Sequence, residues 1–315
     1  VGEAYVARVF PPEAKQRAEK LVADLKTALR ARIGRLDWMA DATKQAAYAK
    51  LDTLTPKIGY PDKWRDYNRL TIKRGPYFDN VLAAASFEAH RQFAKIGKPV
   101  DKTEWGMLPQ TVNAYYNPLQ NEIVFPAAQM QPPYFDASAD DALNYGGIGA
   151  VIGHEMLHGF DDQGSRFDAE GNLRDWWTGE DRKHFDARTQ KLVEQFDAYV
   201  PIDDLHINGK LTLGENIADL GGLEVAWDAF RIADPHAQKN DGFTPEQRFF
   251  LSFAQSWRTQ QRPEALRLQV QSNEHAPAKY RVNGPVSNLT EFASAFQCSP
   301  PQPMARTQEQ RVVIW

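Results

Sequence analysis

The sequence predicts a mainly helical fold with a small β-sheet, which places it in the α+β class. Apolar residues recur at three- and four-residue steps through much of the first hundred positions, as they do in amphipathic helices. Two short β-prone runs lie near residues 111–125 and predict a pair of strands. With 315 residues, the chain can form one large domain or two smaller ones.

Three helices are predicted in the first hundred residues. The first runs from Pro11 to about Leu36 and has prolines at its start, where a helix tolerates them. The second covers about 41–54, and the third covers about 79–96 and ends before Gly97. Residues 56–77 are rich in Pro, Gly, Asp and Asn, and they predict connecting structure. None of these segments carries obvious catalytic chemistry.

The two strands are predicted over 111–116 and 121–125, on either side of the Asn117-Pro118 turn signal. Together they predict a hairpin with an exposed edge. In a peptidase, an extended substrate could add to such an edge as a further strand. An ordinary structural hairpin explains the same local pattern equally well.

Bulk properties exclude several classes of protein. The net charge is −4 and no basic run is present, which argues against a nucleic-acid-binding surface. No apolar stretch reaches the length of a membrane span. Cys298 is the only cysteine, which fits a reducing compartment or an exported bacterial protein that does not rely on disulfides. The chain begins at Val1 without a signal-like segment, so we expect any targeting signal upstream.

The strongest chemical signal is His154-Glu-x-x-His158, within the apolar segment 151–160. Two histidines four residues apart share one face of a helix, so both imidazoles can reach one metal ion. Glu155 is turned away by one residue and can act as a general base beside the metal. The alternative is a buried helix with two hydrogen-bonded histidines, but burying these polar groups is costly without compensation.

A catalytic zinc ion needs a third protein ligand and an open position. The extended motif HExxHxxGxxH is excluded, because Asp161 and Gly164 stand where it requires Gly and His. The best candidate is Glu215 on a second helix. Asp219 lies four residues later on the same face, placed to accept the outer N–H of a ligand histidine.

A competing interpretation is a capping box in which Glu215 merely closes the start of its helix with Thr212. The Gly221-Gly222 pair favours the metal site, because it predicts close approach of two helices at this point. Nearby, Trp176 and Trp177 are predicted to pack in the core. Residues 180–199 predict another helix, in which His184 is a surface or cap residue.

Several separated motifs in the same order resemble the neprilysin family of zinc metallopeptidases, and matches run along essentially the whole chain. They are the segments 113–116, 144–149, 151–155, 175–177, 214–219 and 281–284, together with the terminal Trp315. The resemblance implies the C-terminal half of a larger two-lobed enzyme with a thermolysin-like zincin catalytic domain. Residues 101–315 would form that domain, and residues 1–100 would be a helical segment, partly of the second lobe and linker.

The resemblance also assigns the metal site. His154, His158 and Glu215 would bind one zinc ion per chain. Glu155 would be the catalytic base, and Asp219 would support the site from behind a ligand.

Further residues by similarity would contact a peptide substrate. Asn113 and Ala114 would hold its backbone, and His275 would stabilise the oxyanion. Arg281 would hold the carbonyl next to the scissile bond. Val151 and Trp257 are candidate walls of the pocket for the side chain after that bond, and a core role fits them equally well.

Departures from the family pattern bear on the expected source, location and substrate preference of the protein. The disulfide framework of the animal relatives is absent, since Trp257 is followed by Arg258 where they have cysteine, and this indicates a bacterial member. A periplasmic, cell-surface or secreted location is therefore expected. Gln129 stands at a position near the specificity pocket that is apolar in relatives, which argues against a strong preference for bulky apolar side chains.

The function expected from these observations is zinc-dependent hydrolysis of peptide bonds in oligopeptides. A non-catalytic, zinc-stabilised binding module is one alternative, although such a module has no need of Glu155. A chain that is inactive without its N-terminal lobe is another. That lobe is expected as a partner, because the chain resembles only the C-terminal half of the larger family enzymes.

Overall fold

The computed structural model describes residues 1–315 and shows a mainly helical chain. Twelve α-helices carry the fold: α1 Gly2–Val9, α2 Pro12–Arg35, α3 Asp41–Thr53, α4 Tyr77–Phe93, α5 Asp141–Asn144, α6 Ala150–Leu157, α7 Gly179–Asp197, α8 Leu213–Ala233, α9 Pro245–Ser256, α10 Pro263–Ser272, α11 Ala278–Val286 and α12 Thr290–Ala295. A π-helical stretch, Tyr145–Gly149, joins α5 to α6. None of the helices combines the length and apolar character needed to cross a membrane.

One small mixed sheet accompanies the helices. Its strands are β1 Thr55–Gly59, β2 Tyr115–Asn117 and β3 Glu122–Pro126, in the order β1-β3-β2. The central β3 is completely buried, pairs in parallel with β1, and pairs antiparallel with β2. The predicted hairpin with an exposed edge is confirmed, because β2 has a neighbour on one side only. Its first strand is shorter than predicted and begins at Tyr115.

Most helix predictions agree with the structure to within a few residues. Several elements were not predicted: α1, α5, β1 and the four helices after α8. Of these, α1 and β1 are short elements that depend on neighbours for stability. β1 contains Pro56, which removes one backbone donor but is tolerated at the edge of the sheet. α4 ends at Phe93 rather than at Ile96, and turns follow it.

The close packing of α6 against α8 positions the candidate metal site. A side chain on Gly153 would place its Cβ 2.5 Å from the carbonyl oxygen of Gly222. A Cβ on Gly222 would lie 2.4 Å from the backbone nitrogen of His154. Glycine at both positions therefore lets the two backbones touch, which confirms the predicted close helix approach.

The first three helices, α1, α2 and α3, belong to the same hydrophobic core as α6 and α8. Arg32 on α2 donates to Asp228 on α8 at 3.0 Å and to the carbonyl of the buried Trp315 at 3.1 Å. Trp177 stacks on Trp38 with 5.9 Å between ring centroids, which confirms the predicted packing role of this tryptophan. His184 is exposed on α7, also as predicted.

Candidate metal centre and active site

The structure brings the three predicted metal ligands together. His154 and His158 lie one turn apart at the end of α6, with their Nε2 atoms 3.0 Å apart. The Glu215 carboxylate reaches them from the first turn of α8, at 3.4 Å from His154 and 3.5 Å from His158. One ligand atom from each of the three residues lies within 4.8 Å of the other two. A single ion can therefore be bound by all three.

A carboxylate holds the outer ring nitrogen of each ligand histidine. Asp219 Oδ1 lies 2.8 Å from Nδ1 of His154, as predicted from the sequence. Asp161 Oδ2 lies 2.7 Å from Nδ1 of His158, a contact that was not predicted. A carboxylate beside Nδ1 favours the proton on that ring nitrogen, so Nε2 is the nitrogen of each ring that can bind a cation.

The sequence contained a usable signal for Asp161. It stands three residues after His158, a spacing that brings two side chains together at the end of a helix. Its other oxygen, Oδ1, accepts the backbone N–H groups of Gln163 at 2.8 Å and Gly164 at 2.6 Å. Asp161 therefore orders both the ligand ring and the loop that follows α6.

The charge around the site favours a cation. Burial by itself would lower the pKa of His154, but Asp219, Glu215 and Glu155 together raise it to about 10. Burial would raise the pKa of Glu215, yet the histidines and Arg281 hold it well below its ordinary value. Carboxylates thus dominate the field at the point where the two rings converge, and a positive ion is stabilised there.

The capping-box interpretation of Glu215 is wrong. Thr212 makes no capping hydrogen bond to α8. Its hydroxyl instead donates to the carbonyl of Asn208 at 3.2 Å and accepts the Asn216 side-chain amide at 2.8 Å. Glu215 is therefore free to face the histidines of α6.

The donor set fits zinc. Two imidazole nitrogens and one carboxylate oxygen are a common set of protein ligands at catalytic zinc sites, which keep a further position open. The histidines are not the satisfied core residues of the alternative interpretation, because their Nε2 atoms face each other and Glu215. His154, His158 and Glu215 could therefore hold one zinc ion.

Glu155 lies next to the ligands without being one of them. Its side chain is largely buried and lines the cavity that contains both histidines and Glu215. This cavity has a volume of about 700 Å³. A carboxylate in this place can exchange a proton with a molecule held beside the metal.

Two further predicted residues approach the ligands from α11 and from the loop before it. His275 Nε2 lies 3.2 Å from Glu215, and its backbone N–H donates to the Asn273 side chain at 2.8 Å. Burial lowers the pKa of His275. Arg281 donates two hydrogen bonds of 2.7 Å to Asp219 and one of 3.1 Å to Glu215. Arg281 therefore fixes the carboxylates of Asp219 and Glu215.

The remaining predicted residues line the same cavity. This group comprises Asn113, Ala114, Val151 and Trp257, and Gln129 joins them. Asn113 and Ala114 lie just before the edge strand β2, and the Asn113 side chain accepts the N–H of Ala114 at 2.9 Å. The Trp257 ring packs against the Arg281 guanidinium at 4.1 Å. The structure thus gathers every sequence-predicted site residue around one cavity.

Comparison with known proteins agrees with this geometry. The sequence profile of peptidase family M13 matches residues 113–312, and a second profile of the same family matches residues 1–61. An endothelin-converting enzyme homolog of Locusta migratoria is 42% identical over 310 residues, which cover 95% of this chain and 42% of that protein. Human endothelin-converting enzyme 1 is 37% identical over 316 residues, 96% of this chain and 41% of that protein.

Solved structures show the same fold. The zinc metalloprotease Zmp1 of Mycobacterium tuberculosis, in complex with an inhibitor, superposes with a TM-score of 0.94 at 48% identity, covering all of this chain and 49% of that one. PepO of Lactobacillus rhamnosis superposes with a TM-score of 0.89 at 36% identity, again over all of this chain and 49% of the other. The domain therefore has the thermolysin-like zincin fold.

The chain spans about two fifths of the length of the curated relatives and half of the solved chains. Within that span, the family profile covers both helices of the metal site and the loop that carries His275. The fold, the ligand geometry and these matches agree: the chain belongs to peptidase family M13, the neprilysin family.

Proposed function

We propose that the protein is a zinc-dependent endopeptidase that hydrolyses peptide bonds of oligopeptides. The observation that carries the proposal is the convergence of His154, His158 and Glu215 in a cavity that Glu155 also lines. When bound, zinc acidifies a water molecule and polarises the scissile carbonyl. Glu155 accepts the proton of the attacking water and delivers it to the leaving amine.

Two residues are proposed to recognise the reacting carbonyls. His275, held by Asn273, would donate a hydrogen bond to the oxygen that becomes negative in the transition state. Arg281 would hold the carbonyl next to the scissile bond while Asp219 and Glu215 fix its guanidinium. Because those carboxylates lock the arginine in place before substrate arrives, little side-chain ordering remains when substrate binds.

The substrate backbone is proposed to align with the edge of the sheet. Asn113 and Ala114 lie at the cavity just before β2, whose outer side has no strand neighbour. An extended peptide can form backbone hydrogen bonds along such an edge. Val151 and Trp257 would form walls of the pocket for the side chain after the scissile bond.

The first test is cleavage of a quenched fluorescent peptide by this chain, with bound zinc quantified on the same sample. We expect one zinc ion per chain and cleavage that a chelator abolishes. Glu155→Gln is the matched control: it should keep the zinc and lose nearly all turnover, because the ligands remain and the base is gone. Cleavage at the wild-type rate by this variant would remove Glu155 from the mechanism, and wild-type protein without zinc would remove the ligand set.

We also propose that an N-terminal lobe of the same protein packs against α4 and the turns after it. No residue of α4 is buried, and large apolar side chains of this region are exposed: Tyr77, Phe78, Val81, Leu82, Phe93 and Ile96. An apolar surface of this kind is typical of an interface. Residues 1–100 would then be a helical segment, partly of that lobe and linker, and residues 101–315 would form the catalytic domain.

The proposed location is outside the cytoplasm: periplasmic, at the cell surface or secreted, in a bacterium. This proposal follows from the family resemblance. Fractionation of the source cells, followed by immunodetection in each fraction, tests it.

A further inference from the structure

Lys50 is a buried cation that the mechanism does not use. It lies in the last turn of α3, only 1% exposed, in the part of the sequence without obvious chemistry. No carboxylate lies within ion-pair distance of its ammonium. Burying an ammonium group away from a counter-ion is costly, so other contacts must stabilise it.

The ammonium holds the loop that follows the metal helix. It donates hydrogen bonds of 2.7 Å to the carbonyl oxygens of Gly164 and Phe167. The rings of Tyr116, Phe160 and Trp176 surround it, with centroids 5.7 to 5.9 Å away. These aromatic faces stabilise a cation where no anion is in contact.

This loop carries the residue that orients a zinc ligand. Gly164 donates its N–H to Asp161 Oδ1 and accepts Lys50 at its carbonyl, so the same residue is held at both polar groups. Asp161 Oδ2 in turn faces Nδ1 of His158. The loop is also pressed against α6, because a Cβ on Gly164 would lie 1.7 Å from the carbonyl oxygen of His158.

The backbone of Lys50 reaches the substrate side of the cavity as well. Its carbonyl accepts the Asn121 side-chain amide at 2.7 Å, and Asn121 accepts the Tyr116 hydroxyl at 3.0 Å. Tyr116 belongs to the edge strand β2. One residue therefore joins the end of α3, the loop behind the metal ligands and the proposed substrate strand.

We propose that Lys50 is a positioning residue of the metal site, which fixes the 161–167 loop so that Asp161 holds the His158 ring in its zinc-binding orientation. The proposal rests on the proposed zinc site and is independent of substrate identity. Burial lowers the pKa of Lys50 to about 7, while Asp161 and Asp168 oppose that shift and favour the charged form. The same carboxylate therefore interacts with both Lys50 and His158.

The test measures zinc affinity by competition with a chelator, together with the melting temperature of the zinc-free and zinc-loaded full chain. Lys50→Met should weaken zinc binding about 10- to 100-fold, the range found for partners that orient metal ligands. It should also shrink the rise in melting temperature on zinc binding. Lys50→Arg, which retains the charge and several donors, should recover part of the lost affinity.

Lys57→Met is the matched control. Lys57 is also a buried lysine that donates to a carbonyl, that of Glu104 at 2.7 Å, but its ion pair is with Glu122 on β3. This substitution should lower both melting temperatures equally and leave zinc affinity unchanged. A Lys50→Met protein with wild-type zinc affinity and a uniform loss of melting temperature would overturn the proposal and leave Lys50 a structural residue.

A double-mutant cycle covers the case in which Lys50→Met does not fold. Lys50→Gln retains a donor, and it is combined with Asp161→Asn. If Lys50 acts through Asp161, the double variant binds zinc about as weakly as Asp161→Asn alone. Additive losses would contradict the proposed route. Wild-type protein that binds no zinc would overturn the metal site itself, an outcome distinct from unchanged affinity in the Lys50 variants.

Discussion

Gln129 is a polar residue that lines the cavity of the candidate site. It is 5% exposed, and its side-chain amide takes part in none of the hydrogen bonds within the protein. An amide that lines a cavity without a partner in the protein favours ligands that can hydrogen-bond to it and disfavours purely apolar ones. The residue therefore bears on the choice of substrate rather than on the chemical step.

Substitution of Gln129 by leucine tests this effect. Two peptides are compared that differ only in the residue after the scissile bond, which is phenylalanine in one and tyrosine in the other. We expect kcat/KM for the phenylalanine peptide, divided by kcat/KM for the tyrosine peptide, to rise about 10-fold in the variant. The comparison uses matched peptide pairs with a single hydroxyl difference. An unchanged ratio would show that Gln129 does not contact the side chain in this pocket.

Glu224 gives the protein a predictable dependence of stability on pH. It lies on α8, away from the metal, with one oxygen 3.2 Å from Arg32. Burial raises the pKa of Glu224 to about 7, against the opposing effect of Arg32. Between its unfolded pKa, about 4.5, and 7, the folded state binds more protons than the unfolded state does.

This residue should therefore lower the free energy of unfolding as pH rises through that window. Glu224→Gln cannot titrate, so the variant should lack this contribution, which amounts to at most about 3 kcal/mol. Urea denaturation of both proteins at pH 5 and pH 7.5 measures it. The difference between the two proteins should be independent of pH if Glu224 has an ordinary pKa.

At the scale of elements, the contact between α6 and α8 decides whether a metal site exists. The two histidines are on one helix and Glu215 is on the other, so the ligand distances depend on how closely the helices approach. Gly153 and Gly222 set that approach, because each lies against the other's backbone. Helix packing and metal binding are therefore coupled.

Gly153→Ala should separate the two helices. Its Cβ would lie 2.5 Å from the Gly222 oxygen, a backbone atom that cannot move alone. We expect a loss of about 1–3 kcal/mol in stability and weaker zinc binding, measured by denaturation and by chelator competition. Gly179→Ala, at the first position of α7 where a Cβ meets no atom within 4 Å, is the control and should be neutral or stabilising.

At the scale of the whole molecule, the apolar surface of α4 contrasts with the closed core around the metal. The core includes the C-terminal Trp315, which α2 and Trp38 help to cover. By contrast, Phe78 and Ile96 are 69% and 79% exposed. A protein with this surface uncovered tends to associate with itself or with a partner.

We therefore expect this chain alone to self-associate at micromolar concentration, as measured by sedimentation velocity. Replacing both Phe78 and Leu82 by glutamate should shift the distribution toward the monomer, because two charges interrupt the apolar surface. Zinc content should stay the same, since α4 contributes no residue to the metal cavity. A monomeric wild-type chain would argue against an apolar interface at α4.

The sequence by itself determined the helical character, the hairpin and the metal-binding motif, and it predicted the three residues that converge at the candidate metal site. These features depend on local periodicity, on turn residues and on a four-residue spacing, which act over a few positions of the chain. Asp219 was predictable for the same reason, because it lies one turn after Glu215.

Only the tertiary structure decided the features that join distant segments. β1 forms because β3 pairs with it, and the paired residues Thr55 and Glu122 are 67 positions apart. No local sequence pattern predicts a partner at that distance. Thr212 and Glu215 match a capping box by spacing, but packing against α6 gave the carboxylate a different partner. In the sequence, Lys50 is simply one charged residue of a predicted helix. In the structure it is buried, because the loop after α6 folds over it. Local interactions are encoded in neighbouring residues, whereas burial and long-range pairing exist only once the chain has closed on itself.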